Sequence, residues 1–81
     1  MRLHQLLIEN ESRFDEITEF VIDAFKEKDI EAYFDDNYPY IKFNFTQDQI
    51  DEHEESGCYD IANDELEVIM QDLRFNFPEC F

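Results

Sequence analysis

The chain has little with which to meet a polyanion: 6 Lys and Arg stand against 22 Asp and Glu, a net charge of −16 over 81 residues. Free nucleic acid and anionic membrane surfaces repel such a chain, whereas a basic protein surface attracts it and speeds its association. Glycine is nearly absent too. The single Gly57 leaves no glycine-rich loop to cradle a phosphate, and no GxSxG marks a nucleophile elbow. The two cysteines, Cys58 and Cys80, share no CxxC spacing. With no secretory pattern in "MRLHQLLIENE", whose apolar run is too short for a signal h-region, they are expected to be free thiols in a cytoplasmic setting. No segment approaches the length of a membrane span.

Metal binding fails on spacing. "DEHEESGCYDIA" misplaces the glycine of an EF-hand loop and lacks its final acid. His4, His53, Cys58 and Cys80 have no short paired spacing of the kind that builds zinc sites, so no metal or cofactor is expected and His53 reads as a solvated residue among acids. Catalysis has no better support. Among so many carboxylates some pair always lies at acid/base distance, so pairs carry no information. Cys58 sits in "ESGCYD", where acidic neighbours make it a poor nucleophile. No catalytic residue is assigned, and the chain is read as a non-enzyme.

What is present is a core. Nine Phe, four Tyr and a set of Ile, Leu and Val are more than a disordered acidic tail carries, so residues 1–81 are read as one compact domain. At this size a domain buries roughly 60% of the surface its unfolded chain exposes, and its stability margin is thin.

The pattern along the chain gives an α+β fold: an N-terminal amphipathic helix packed on a small antiparallel sheet, with a second helix near 64–73. Leu3, Leu7, Phe14, Ile17, Val21 and Ala24 follow a helical 3,4 spacing interrupted at Asn10. Ser12 with Asp15 resembles a loose capping box, so a break is expected near Asn10–Ser12 and a main helix from about Arg13 to Lys28. "RLHQLLIEN" is read as helix, with a strand as the alternative. A hairpin follows, with arms Ile30–Phe34 and Tyr40–Phe45 around the turn "DDNYP", and with Ile41, Phe43 and Phe45 on its core face.

Thr46 and Gln49 fit a capping box, and Gly57 fits the end of the short polar helix they would start. "CYDIA" reads as a short strand, and Asn63 as the cap of the next helix, which turns Leu66, Ile69, Met70 and Leu73 inward. The closing "RFNFPECF" echoes "KFNF" at 42–45 and reads as an alternating segment that packs Phe75 and Phe77 or sets them on a sheet edge, with Pro78 ending any pairing.

The acids carry the functional signal. Asp15, Glu19, Asp23 and Glu27 recur every four residues, a step of about 6 Å along a helix, although like charges at that spacing repel by a few tenths of a kcal/mol per pair. Between Lys42 and Arg74 no basic residue occurs, while Asp48, Asp51, Glu52, Glu54, Glu55 and Asp60 crowd the first half of that stretch. A solvated face ordinarily mixes signs, and this one forgoes attractive pairing. Rows of carboxylates on a rigid scaffold can take the place of phosphates in the Lys and Arg arrays that bind a duplex.

In size, charge and lack of catalytic signature the chain resembles, as a class, the small acidic proteins with which phages block restriction or CRISPR nucleases. That resemblance implies an inhibitor that mimics DNA on the basic nucleic-acid-binding surface of a partner protein, in the host cytoplasm if the chain is phage-encoded. Both groups of acids, with Tyr59 and the exposed Tyr38 or Tyr40 as anchors, are its expected contacts. Two alternatives stand beside it. One is an immunity protein or antitoxin for a basic toxin nuclease; the other is a small acidic structural or assembly subunit.

Overall fold

The computed structural model describes residues 2–36 and 38–81. Helix α1 (Leu3–Glu9) buries Leu3, Leu6 and Leu7, which settles "RLHQLLIEN" as helix. The break falls where the spacing placed it. A 3-10 turn, Glu11–Arg13, leads into α2 (Phe14–Lys26), but Ser12 and Asp15 form no capping box, since the residue before α2 is Arg13 and no side chain caps the helix. Asn10 supplies a different tie. Its Nδ2 donates to the Leu6 carbonyl at 2.9 Å, within α1, and to the Cys80 carbonyl at 3.1 Å.

Helix α2 turns Ile17, Thr18, Val21 and Phe25 inward. Thr18 is tolerated there because its hydroxyl donates to the Asp15 carbonyl at 3.2 Å, which satisfies the buried polar group. Acids in the first turn and Lys26 in the last complement the helix dipole. The chain then leaves through a Schellman turn: Ile30 N–H donates to Phe25 C=O at 3.0 Å and Asp29 N–H to Lys26 C=O at 3.1 Å. Asp29 takes the left-handed position, φ 60°, where glycine is the usual occupant. Ile30 and Phe25, both buried, make the apolar contact that accompanies this motif.

The hairpin is antiparallel, as its alternation implied, but its strands are short: β1 (Ala32–Tyr33) and β2 (Lys42–Phe43), with Ala32 opposite Phe43 and Tyr33 opposite Lys42. Asn44 N–H donating to Glu31 C=O at 2.9 Å extends the same register by one pair. The expected turn "DDNYP" includes Asn37, which lies outside the described residues; beside it Tyr38 N–H donates to Asp35 C=O at 2.7 Å. Ile41, Phe43 and Phe45 are half-buried while Tyr40, Lys42 and Asn44 are exposed, so one face of this arm is core. Phe43 lies edge-on against the fully buried Phe25, with ring centroids 5.0 Å apart, a contact worth about 0.5–1.5 kcal/mol beyond its area.

Helix α3 (Gln47–Asn76) corrects four expectations. Its start is as read: Gln49 N–H donates to the Thr46 hydroxyl and Thr46 N–H to Gln49 Oε1, a complete capping box. Gly57, however, does not end it. The interruption is at Glu54, φ 61° and ψ 163°, and the helix runs unbroken from 55 to 76 through "CYDIA" and through Asn63, which caps nothing. The reason is the buried stripe of Cys58, Ala62, Leu66, Ile69 and Leu73, half-buried at Leu66, whose helical period overrides the strand propensity of "CYDI" and the capping propensity of Asn63. "RFNF" is likewise helical through Asn76. Phe77 is half-buried with its ring edge-on to Phe20 at 5.8 Å, whereas Phe75 is 88% exposed and packs on nothing in the core. Pro78 opens a final 3-10 turn, Pro78–Cys80.

Candidate functional site

Helices α2 and α3 run antiparallel, since Arg13 just before α2 pairs with Glu79 beyond the end of α3, Phe20 in the middle of α2 meets Phe77, and Lys28 beyond α2 reaches Glu65 at 3.9 Å in mid-α3. Each helix thus has one side on the other helix. A second side of each faces the hairpin: Phe25 of α2 touches Phe43, and Tyr59 of α3 packs edge-on against Phe45 with centroids 5.0 Å apart. The remaining side of both helices faces solvent, on the surface away from the hairpin. Asp23 is two residues from Phe25 and Val68 nine residues from Tyr59, and at about 100° per residue both spacings place them opposite the hairpin contacts.

Asp15, Glu19 and Asp23 of α2, with Glu27 just beyond it, are all exposed. The row is not straight, however. A four-residue step overshoots a full turn by about 40°, so over about 18 Å the four carboxylates wind through about 120°. Lys26 is the one basic residue of α2, and among the described residues neither it nor any of these four acids takes part in an ion pair.

The second group is exposed as well: Asp48, Asp51, Glu52, Glu54, Glu55 and Asp60. Asp51 accepts from Gln47 Nε2 at 3.0 Å and Glu52 lies 3.8 Å from His53. None meets a Lys or Arg among the described residues. The fold joins one end of this group to one end of the row, because Gln49 Nε2 donates to the Asp29 carbonyl at 2.6 Å. This bond brings the chain two residues after Glu27 to the residue that follows Asp48, at the junction where α2 ends and α3 begins, and Glu52 lines the surface there. A cleft of about 310 Å³ opens there, lined in part by Lys28, Glu52, His53, Cys58 and Ile61.

The tyrosines do not join them. Tyr59 is 43% exposed but sits on the hairpin side, against Phe43 and Phe45. Tyr40 stacks on His4 at 4.9 Å and meets Tyr38 at 5.2 Å with the rings tilted by 47°, beside a groove shared with Asn63 and Met70. Asp60 lies five residues, or about 140° around α3, from the Glu65 that meets Lys28, so it is turned away from α2.

Three of the six basic residues, Arg13, Lys28 and Lys42, serve internal ties. Arg13 donates to Glu16 Oε2 at 3.0 Å and to Glu79 Oε1 at 2.7 Å, and lies 5.2 Å over the Phe77 ring. The hydrogen bond to Glu79, then that to Glu16, raises the Arg13 pKa, and the same bond lowers that of Glu79. Lys42 is held by Asp35, which raises its pKa in turn.

Among the described residues no group of three or more His, Cys, Asp or Glu is placed to hold a metal ion. Cys58 and Cys80 are buried and free. Cys58 lies near the start of the long segment of α3 and Cys80 in the turn beyond its end; the axis rises about 27 Å between 58 and 76, far beyond disulfide reach. No helix among the described residues is long and apolar enough to cross a membrane.

One feature escaped the sequence reading. Ile61, Val68 and Phe75 are 39%, 53% and 88% exposed and recur at seven-residue intervals on the solvent side of α3. The interval is visible in the sequence, but the strand expected at "CYDIA" and the alternating segment expected at "RFNF" hide it. Compared with protein-family models, with curated proteins and with solved structures, the chain matches none.

Proposed function

We propose that the protein is a non-enzymatic acidic inhibitor that occupies the basic nucleic-acid-binding surface of a partner protein, its carboxylates standing where phosphates would. The observation that carries this reading is the division of labour among charges. Arg13, Lys28 and Lys42 tie elements of the fold together, while the row from Asp15 to Glu27 and the group from Asp48 to Asp60 stay exposed with no Lys or Arg partner among the described residues. A protein that needed acids only for solubility would gain from pairing some of them. The junction through Gln49 and Asp29 makes the two groups continuous at one end, which suits an extended basic groove better than a point contact.

The test is competition. The tagged protein captures its partner from lysate of the cells that encode it, and duplex DNA or RNA is then titrated onto the complex. Release of the partner by nucleic acid, with a steep loss of affinity in added salt, is the expected result. A partner that stays bound while carrying its nucleic acid would sink mimicry. That outcome favours the immunity-protein alternative, in which an exosite is covered and only the chemistry is blocked.

A further inference from the structure

Ile61, Asp64, Val68, Asp72 and Phe75 follow one another at intervals of three, four, four and three residues, which makes them one continuous ridge along α3. Its three apolar members are exposed, at 39%, 53% and 88%, and its two acids are exposed as well. From Ile61 to Phe75 the ridge runs about 21 Å, or nearly four turns. It shares the solvent side of the molecule with the acid row of α2, and at the Ile61 end it enters the cleft that holds Lys28, Glu52 and His53. Exposed Val or Phe singly would be ordinary. Three in register on an otherwise charged helix face are not.

We propose that this ridge is the docking face for a basic amphipathic helix of the partner protein, whose apolar residues seat on Ile61, Val68 and Phe75 while its flanking Lys and Arg reach Asp64, Asp72 and the row from Asp15 to Glu27. Charge decides the occupant. A second copy of this chain would bring the same ridge, so that Asp64 and Asp72 would face like charges on a molecule of net charge −16. Free nucleic acid is refused for the same reason, and offers no apolar face for the three side chains. A helix with basic residues beside an apolar stripe satisfies both halves of the ridge, in the helix-against-helix mode that reads anchors at i, i+3, i+4 and i+7. The inference rests on the reading of this protein as the ligand of a basic partner, and adds to it what carbon-rich surface that partner presents.

The probe is a synthetic 18-residue amidated peptide of Leu and Lys patterned as an amphipathic helix, compared with a scrambled peptide of the same composition. Fluorescence anisotropy at physiological salt should show the patterned peptide binding at least tenfold more tightly than the scrambled one. I61S/V68S/F75S should erase that preference, and V68S alone should cost about threefold, with thermal unfolding by circular dichroism showing that both variants remain folded. D15N/E19Q/D23N/E27Q should weaken both peptides together and leave their ratio intact. Equal binding of the two peptides by the native protein, a preference that survives I61S/V68S/F75S, or a sedimentation shift to a dimer abolished by those substitutions would each overturn the proposal. Failure of nucleic acid to compete for the captured partner touches only the mimicry reading, so the two are separable.

Discussion

Asn10 and Cys80 are joined by a 3.1 Å hydrogen bond from the Asn10 amide to the Cys80 carbonyl, across 70 residues of sequence. The one polar residue in the apolar series of the N-terminal helices is thus the clasp that holds the C-terminal turn. Asn10→Ala strands a part-buried carbonyl and should cost about 1–2 kcal/mol, read as a lower urea midpoint with an unchanged m-value. Asn10→Asp, which has no donor, should cost at least as much; a neutral result for both variants would refute the clasp.

Glu54 and Gly57 occupy each other's natural places. The φ of 61° with ψ of 163° at Glu54 is a region that glycine alone enters cheaply, at a cost of about 1–3 kcal/mol to other residues. Gly57 sits in the first turn of the segment that resumes after Glu54, without a positive φ, and an added Cβ there would meet His53 Cβ at 3.4 Å, an ordinary contact. Glu54→Gly and Gly57→Ala should therefore each stabilise the fold, by about 1 and about 0.5–1 kcal/mol. A thermal unfolding series on the two single variants and their double checks both signs, with near-additivity expected only if the break and the helix do not couple.

Neutralising Asp15, Glu19, Asp23 and Glu27 with Asn or Gln removes three like-charged i,i+4 pairs. This should add about 1 kcal/mol of stability, or about 4–8 °C in Tm for a domain of this size. The native protein should also melt at a higher temperature as salt rises from low to physiological, because screening relieves self-repulsion. The neutralised variant should show a smaller rise. Identical salt responses in the two proteins would mean that the row does not repel as described.

The Arg13 to Glu79 contact gives a pH signature. Because the bond from Arg13 holds the native Glu79 carboxyl below its ordinary value, its stabilising effect is fully present above the unfolded-state pKa and is lost as pH falls through the lowered native one. The stability difference between the native protein and Glu79→Gln should therefore be largest near neutrality and close in acid. Relief of repulsion among the other carboxylates acts in the opposite direction as pH falls. It is common to both proteins, so it cancels in the difference.

Local signals were the legible ones. The break at Asn10, the helix from Phe14, the alternation of Ile41, Phe43 and Phe45 and the box of Thr46 with Gln49 each depend on residues a few positions apart, and each was readable from the chain. Sequence pattern and fold part where local and tertiary preferences disagree. Gly57 and Asn63 are stop and start signals by chemistry alone, yet the stripe from Cys58 to Leu73 buries a full helical face and outweighs them. Nothing in the sequence marks Glu54 as the residue that pays in backbone strain. For the candidate surface, exposure of the acids followed from charge. The meeting of their two groups at the Asp29 and Gln49 contact, and the exclusion of Tyr38, Tyr40 and Tyr59 from that face, depend on how the helices and hairpin stack, which no spacing encodes.

The core draws on Leu3 at one end and Cys80 at the other, so no long N-terminal fragment contains a closed fold. On a ribosome adding about 5–20 residues per second, roughly 3–11 s pass between completion of the first two helices at Lys26 and arrival of Cys80, with their apolar sides uncovered while Ile69, Leu73 and Cys80 are still to be made. By the time Val68 is added, the growing chain carries 20 of its 22 acids against five Lys and Arg. The charge that strains the finished domain thus keeps its unfinished forms apart from one another, and a variant neutralised throughout would trade a firmer native state for a more aggregation-prone birth.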